Sequence, residues 1–89
     1  MQRTEAVIVN KLGLHARPSA KIAQLATKYR SEVWMSKGTR RINAKSIMGV
    51  MMLAAAKGST LVVEADGPDE QEAVSALCEL IANGFGEEV

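Results

Sequence analysis

Cysteine is almost absent from this chain of 89 residues: Cys78 is the only one, so no internal disulfide can form. No apolar segment followed by a cleavage pattern of the kind that directs secretion is visible near the start. The longest apolar stretch, residues 47–56, is interrupted by Gly49 and is too short to cross a bilayer. These absences predict a soluble protein of a reducing, cytoplasmic compartment, without membrane insertion.

Aromatic residues and net charge are also low. Eleven Lys and Arg residues against ten Asp and Glu residues leave a formal charge of +1, and the only aromatics are Tyr29, Trp34 and Phe85. A strongly basic or base-stacking surface is therefore not expected, which disfavours an RNA-binding α+β domain and predicts no nucleic-acid partner. The charged pairs at residues 40–41 and 87–88 are expected to be solvated.

Metal ligands are scarce as well. The one histidine, His15, and the one cysteine, Cys78, lie far apart in the sequence and offer too few ligands of the usual zinc kinds. Cys78 is adjacent to the apolar stripe of the last predicted helix, where a free cysteine is expected to be buried filler rather than a reactive thiol. The sequence therefore predicts no metal site.

What is present is an alternation of strand and helix patterns, with no repeat, linker or low-complexity segment, and it predicts one domain over residues 1–89. The predicted order is β-α-β-β-α-β-α, with Gly38 as the turn signal of a hairpin. Predicted strands cover residues 5–9, 32–36, 39–44 and 60–65, and the first two predicted helices cover residues 16–28 and 47–53.

The start of the last helix has two interpretations. Asp69 and Glu72 have the spacing of a capping box, and Pro68 at the first helical position is an equally good one. Gly84 is placed to end this helix in the left-handed conformation. The predicted buried stripe of the helix consists of Val74, Leu77, Leu80 and Ile81.

Strands separated by helices, together with a hairpin, favour an α+β fold. We expect an open-faced two-layer β-sandwich, in which a four-stranded antiparallel sheet is covered on one face by three helices. The first helix can carry the chain past a gap that the fourth strand later fills, as in a split β-α-β unit. The fourth strand is therefore expected between the first and the second.

The only histidine, His15, follows a predicted loop over residues 10–14 and is expected at the N-cap of the first helix. The first turn of a helix has unpaired N–H groups and partial positive charge, which favours an anion at the backbone of Ala16 and Arg17. Pro18 fits because an N–H is dispensable there, and the Arg17 guanidinium has donors suited to phosphate or carboxylate. These residues indicate an anion site with a nucleophilic imidazole, and they leave a packed histidine or a simple anion binder open.

Residues 13–18 (GLHARP), 43–49 (NAKSIMG) and 57–58 (KG) together resemble the HPr family of bacterial phosphocarrier proteins, and the resemblance covers essentially the whole chain. It implies that His15 accepts a phosphoryl group from the phosphohistidine of Enzyme I, which phosphoenolpyruvate charges, and passes it to Enzyme IIA proteins. It also implies that Arg17 stabilises the phosphoryl group, that no cofactor is required, and that the chain is a carrier rather than an enzyme. A carrier that presents one face to several partners is expected to be a monomer.

Ser46 matches a serine that a dedicated kinase, the HPr kinase/phosphorylase, modifies in many members of the family, so the resemblance implies a regulatory site. Serine is also a preferred N-cap residue, which explains Ser46 without any regulation. Both interpretations stay open. A phosphoryl group on Ser46 would lie at a helix start, where a dianion is locally favourable, and would act mainly on partners.

The predicted helix after Ser46 is apolar at nearly every position, which is more than one buried face needs, so some side chains must be exposed. The resemblance implies that this helix and the His15 loop form the surface for Enzyme I and the Enzyme IIA proteins, with Ile47, Met48 and Met51 as contacts. Methionine suits partners of different shape, whereas core packing explains the rest of the stripe.

Two alternative functions remain. Residues 83–88 look more like the ending of the nitrogen-type paralogue, which has a purely regulatory role, or of proteobacterial members of the family. The context of Ser46 favours the sugar-type protein, and such a mixture of signals is expected in proteobacterial HPr proteins. We favour the sugar-type protein. A regulatory domain that binds a small anion at the same helix start without covalent chemistry is the other alternative.

Overall fold

A computed structural model describes residues 1–86 and contains one four-stranded antiparallel sheet with three helices. The strands are β1 (Gln2–Val7), β2 (Glu32–Lys37), β3 (Arg40–Asn43) and β4 (Thr60–Asp66). The helices are α1 (Ala16–Thr27), α2 (Ile47–Met51) and α3 (Glu70–Ala82), followed by a 3₁₀ turn over Gly84–Gly86. The order across the sheet is β1-β4-β2-β3, so β4 fills the gap beside β1 and the predicted open-faced α+β fold is confirmed.

The core lies between the helices and one face of the sheet. β4 buries alternate residues, Leu61, Val63 and Ala65, and its neighbour β2 buries Val33 and Met35 in the same alternation. The period of two places these side chains on one face, against the buried stripes of α1 and α3. The opposite face of the sheet has no covering layer in the described part of the chain.

Several predicted boundaries differ from the structure. β1 begins at Gln2 and ends at Val7, whereas the prediction covered residues 5–9, because this edge strand is almost entirely exposed and shows little apolar alternation. The helix predicted over residues 47–53 ends at Met51. The hairpin between β2 and β3 and the positions of α1 and β4 agree with the predictions within a few residues.

The predicted capping box at the start of α3 is wrong. Asp69 is the N-cap residue, but its carboxylate accepts hydrogen bonds from the Arg30 N–H at 2.9 Å, the Ser31 N–H at 3.0 Å and the Ser31 hydroxyl at 2.6 Å. The Ser31 hydroxyl and these amides lower the pKa of Asp69 from 3.8 to about 2. A different glutamate, Glu70, accepts from the Gly67 N–H at 3.1 Å, while Glu72 is exposed.

The far end of α3 agrees with the prediction more closely. Asn83 is the C-cap, and Gly84 follows it with φ +64°, as expected of a left-handed terminator. The next side chain, Phe85, is buried in the core.

Cys78 is partly buried rather than fully buried, and it packs against the core, where burial raises the pKa of its thiol. Residues 87–88, part of the ending that suggested the nitrogen-type paralogue, lie outside the described residues.

Within residues 1–86, no helix has the length and apolar character that crossing a membrane requires.

Candidate functional site

His15 is the N-cap of α1, as predicted, with an extended backbone at φ −87° and ψ −170° and a half-buried side chain. The loop before it is held by two reciprocal hydrogen bonds. The Gly13 N–H donates to the Asn10 carbonyl at 3.2 Å, and the Asn10 side-chain amide donates to the Gly13 carbonyl at 2.9 Å. The buried Asn10 and the loop it braces therefore set the direction in which the chain enters α1.

Gly13 is required at its position for two reasons. Its φ of +67° lies in the left-handed region, which residues with a side chain rarely adopt. A Cβ at this position would also lie 2.4 Å from the Ala55 carbonyl oxygen and 3.0 Å from the Ala56 Cα. The next residue, Leu14, donates its N–H to that same Ala55 carbonyl at 2.9 Å, so the His15 loop rests directly on the segment that follows α2.

The first turn of α1 has the backbone features from which the sequence predicts an anion site. The Ser19 N–H makes the first intrahelical hydrogen bond, to the His15 carbonyl at 3.1 Å. The amides of Ala16 and Arg17 precede it, where a helix offers no intrahelical acceptor, and Pro18 has no N–H. Arg17 is an exposed residue of this turn, and the positive end of the twelve-residue helix lies at His15, two residues before it.

Ser46 is the N-cap of α2, and its exposed hydroxyl oxygen accepts a hydrogen bond from the Gly49 N–H at 3.0 Å. The capping role that the sequence predicts for this serine is therefore confirmed. The exposed position also leaves the hydroxyl accessible from solvent.

Helix α2 exposes most of its apolar side chains. We define the α2 patch as Ile47, Met48, Met51 and Met52. Met48 is 71% exposed, and the other three members are between 39% and 56% exposed. Val50 alone is buried within the helix. Because α1 packs against α2, the patch lies on the helical layer that also carries His15. Three expected contact residues, Ile47, Met48 and Met51, are thus surface residues.

Sequence reasoning missed one exposed apolar side chain in the His15 loop. Leu12 is 72% exposed, although Leu14 two residues later is buried. The signal was a leucine between Lys11 and Gly13 that lies outside any periodic apolar pattern. Met52, the C-cap residue of α2, is 56% exposed and extends the apolar surface beyond the predicted contacts Ile47, Met48 and Met51.

Sequence reasoning also missed a separation of charge that the net value of +1 conceals. Residues 6–63 contain ten of the eleven basic residues and only one acidic residue, Glu32, whereas residues 64–89 contain eight of the ten acidic residues and no basic one. In the structure, α1, α2 and the β2–β3 hairpin belong to the first group, and α3 belongs to the second. Counting charge by segment would have predicted that the site lies in the cationic part of the chain.

Among the described residues, no three histidine, cysteine, aspartate or glutamate side chains are grouped in a way that could hold a metal ion.

Known proteins resemble this chain in sequence and in fold. A family profile described as "PTS HPr component phosphorylation site" matches residues 2–83. The chain is 62% identical over 87 residues to the phosphocarrier protein HPr of Cupriavidus necator and 55% identical over 87 residues to that of Neisseria meningitidis serogroup A, with 98% of each chain covered in both cases. The crystal structure of HPr-C-His from Thermoanaerobacter tengcongensis has a TM-score of 0.95 at 46% identity and covers 100% of both chains. The chain belongs to the HPr family of phosphocarrier proteins of the phosphotransferase system, as its motifs predict.

Proposed function

We propose that His15 is the residue that carries the phosphoryl group, received from phospho-Enzyme I and passed to Enzyme IIA proteins for sugar uptake and regulation. One observation supports this proposal above the others. The only histidine of the chain lies at the start of a twelve-residue helix, where the first amide groups have no intrahelical acceptor and Arg17 is the second helical residue. This is an arrangement that stabilises a phosphate dianion attached to the imidazole.

The transfer step needs only a nitrogen lone pair and a good leaving group. A neutral ring nitrogen of His15 attacks the phosphorus of the donor phosphohistidine, one N–P bond forms, and the donor imidazole leaves as the other N–P bond breaks. In the family the acceptor atom is Nδ1. The same exchange in reverse order delivers the group to the next protein.

A carrier must hold the phosphoryl group without trapping it. One guanidinium and the first-turn amides of Ala16 and Arg17 supply a moderate, preorganised charge at the site. A denser cluster of cations would stabilise the phosphorylated form more and slow the onward transfer, because that stabilisation has to be lost when the group leaves.

For partner binding we propose that Ile47, Met48 and Met51 form the contact surface for Enzyme I and the Enzyme IIA proteins. These side chains are exposed beside the His15 helix, and unbranched methionines adapt to surfaces of different shape. The surrounding segment carries almost all of the basic residues, which favours docking on acidic protein surfaces and speeds encounter.

For Ser46 we propose regulatory phosphorylation by an HPr kinase/phosphorylase. The exposed hydroxyl and the sequence that follows it support this role, while its hydrogen bond to the Gly49 amide explains the serine structurally as well. A phosphoryl group here would place about two negative charges next to the α2 patch. The expected effect is weaker binding of acidic partners, with little change in the fold.

We further propose that residues 1–89 act as one domain, as a cytoplasmic monomer, in the sugar-type rather than the nitrogen-type branch. Assays with purified Enzyme IIA proteins of the two types separate the branches.

Incubation with phosphoenolpyruvate and Enzyme I tests the carrier role. The chain should gain the mass of one phosphoryl group in an acid-labile, base-stable form, and His15→Ala should gain none. Arg17→Ala should transfer more slowly while unfolding at the same urea concentration, with Lys28→Ala, a cation at the other end of α1, as the matched control. Modification that persists in His15→Ala would overturn the assignment. Reversible phosphate binding without any covalent product would instead identify the anion-binding alternative.

A further inference from the structure

The hairpin between β2 and β3 reaches the end of α2 through two cationic side chains. The Arg40 guanidinium donates from Nη1 to the Met52 carbonyl at 2.6 Å, and the Lys37 ammonium donates to the Ala54 carbonyl at 3.4 Å. Both acceptors belong to the chain that leaves α2. Residues on either side of one hairpin turn therefore bind two backbone carbonyls of the segment that follows helix α2.

This segment needs external support. Helix α2 has five residues, which is too short to be stable on its own, and Gly49 lies in its middle. The carbonyls at the end of a helix have no intrahelical donors and attract cations. Ala54, two residues after Met52, has φ +50°, a left-handed conformation that costs free energy for a residue with a side chain. A charged donor on each of Met52 and Ala54 offsets part of that cost.

The same segment supports the His15 loop on its other side. The Ala55 carbonyl accepts the Leu14 N–H at 2.9 Å, and Gly13 lies close enough to Ala55 that a side chain there would collide. The backbone of residues 52–55 thus binds the hairpin through its first carbonyls and the loop that leads to His15 through its last one.

We infer that Arg40, assisted by Lys37, is a positioning residue for partner docking: it fixes the chain after α2, and through it the relation between the α2 patch and His15. This inference rests on the proposed docking role of the patch. Arg40 acts through the Met52 carbonyl and is not required to touch the phosphoryl group. Its loss should therefore weaken productive binding of partners and leave the chemical step intact.

The adjacent residue is a matched control. Arg41 faces the opposite side of the sheet, where its Nε lies 3.3 Å from Glu64 Oε1 and its guanidinium lies 4.2 Å from the centre of the Trp34 ring. Arg40→Gln and Arg41→Gln remove the same charge from neighbouring positions. A general electrostatic effect on acidic partners should appear in both variants, whereas a positioning effect should appear only at residue 40.

Two measurements on the full chain test the inference. NMR amide exchange at Leu53, whose N–H donates to the Val50 carbonyl at 3.1 Å, and at Leu14 reports the order of the segment without any partner. Steady-state transfer from phospho-Enzyme I gives KM and kcat. For Arg40→Gln we expect about three- to tenfold faster exchange and a KM raised by a similar factor at unchanged kcat, since a charge-assisted hydrogen bond is lost. Arg40→Lys should restore much of both, and Arg41→Gln should change neither exchange rate.

Each outcome decides a separate question. Exchange that stays at the wild-type rate in Arg40→Gln overturns the positioning role whatever the transfer assay gives. Faster exchange with an unchanged KM overturns the connection to docking, while phosphorylated His15 still supports the carrier role. A wild-type chain that accepts no phosphoryl group overturns the proposed function, and the exchange rates then still decide whether Arg40 orders the segment.

Discussion

Helices α2 and α3 pack in the same layer on the same sheet and are built in opposite ways. α3 has thirteen residues and buries Ala73, Val74, Leu77 and Ile81, whereas α2 has five residues and buries Val50 alone. The start of α3 is held to the loop before β2 by the Asp69 carboxylate, and the end of α2 is held by side chains from a hairpin. α3 therefore stabilises the fold, and α2 presents a surface that the rest of the fold has to support.

The charges follow a similar division. α3 and the end of β4 are acidic, whereas α1 and the hairpin are basic. α2 has no charged residue of its own and lies between the basic residues Lys45 and Lys57. A net charge of +1 therefore describes neither half of the molecule. The difference implies that substitutions in α3 should change stability and substitutions in α2 should change partner binding, and the following variants test that separation.

The largest effect is expected from Leu77→Ala. Leu77 is fully buried in α3, so truncation leaves a cavity and should lower the free energy of unfolding by about 2–5 kcal/mol. Met48→Ala removes a side chain of similar size from the exposed patch of α2 and should lower it by less than about 0.5 kcal/mol. Urea denaturation of both variants measures the contrast. Equal losses at the two positions would contradict the division of roles between the helices.

Gly13→Ala is expected to change both stability and phosphoryl transfer, because Gly13 lies where the His15 loop contacts the segment after α2. The new Cβ would be 2.4 Å from the Ala55 carbonyl oxygen in a left-handed backbone, so the loop must shift, and a loss of about 1–3 kcal/mol is expected together with slower transfer at His15. Gly38→Ala is the control, since Gly38 also has a positive φ of +62° but a Cβ there meets nothing within 4 Å. A Gly13→Ala chain no less stable than Gly38→Ala would show that the contact with Ala55 is not important.

Much of the fold was predictable because the spacing of apolar residues in strands and helices reflects which side chains are buried. β2 and β4 bury every second residue on one face, and both were predicted almost in full. The start of β1 was not predicted, because Gln2, Arg3 and Thr4 are exposed. They join the sheet only by pairing with β4, some sixty residues later in the chain. The prediction of a capping box at Asp69 was wrong for a related reason. The hydroxyl that binds this carboxylate belongs to Ser31, and no local spacing reveals a partner so distant in sequence.

The candidate site likewise has features that the sequence predicts and features that it does not. The N-cap positions of His15 and Ser46 were predictable because helix starts have local signals, and both are confirmed. The contact of the Leu14 amide with Ala55 and that of Arg40 with Met52 depend on how distant segments pack, and no motif encodes them. The phosphoryl transfer itself is chemistry that the resemblance implied and that local physics only favours.

Met48→Ala should affect transfer where Leu77→Ala does not. Met48 is the most exposed member of the α2 patch, and truncating a contact near the centre of an interface should raise KM for transfer from phospho-Enzyme I about fivefold, with kcat unchanged. Val7→Ala, which shortens an exposed apolar side chain on the uncovered face of the sheet, is the control. A KM equal to that of the wild type would remove Met48 from the proposed contacts.

The smallest effect is expected from Asp69→Asn, and it concerns pH. The pKa of Asp69 is lowered to about 2 in the folded chain by the Ser31 hydroxyl and the Arg30 amide, so its contribution to stability is present above the ordinary pKa of 3.8 and is lost as pH falls toward 2. The unfolding free energy of the wild type should therefore decrease more steeply than that of Asp69→Asn over this window. Some slope should remain in the variant, because the amino terminus of Met1 and the Gly67 amide also lower the pKa of Glu70.

Urea denaturation at several pH values across that window measures the difference, and Glu72→Gln, which removes an exposed carboxylate from the same turn of α3, is the control. Because Asp69 holds α3 and not α2, transfer to Enzyme IIA at neutral pH should be unchanged in Asp69→Asn. A parallel loss of slope in Glu72→Gln would mean that the general charge of the helix start, rather than the bond to Ser31, sets the acid sensitivity. An altered KM would mean that the two helices are coupled through the sheet, so that stability and docking are not separate properties of this fold.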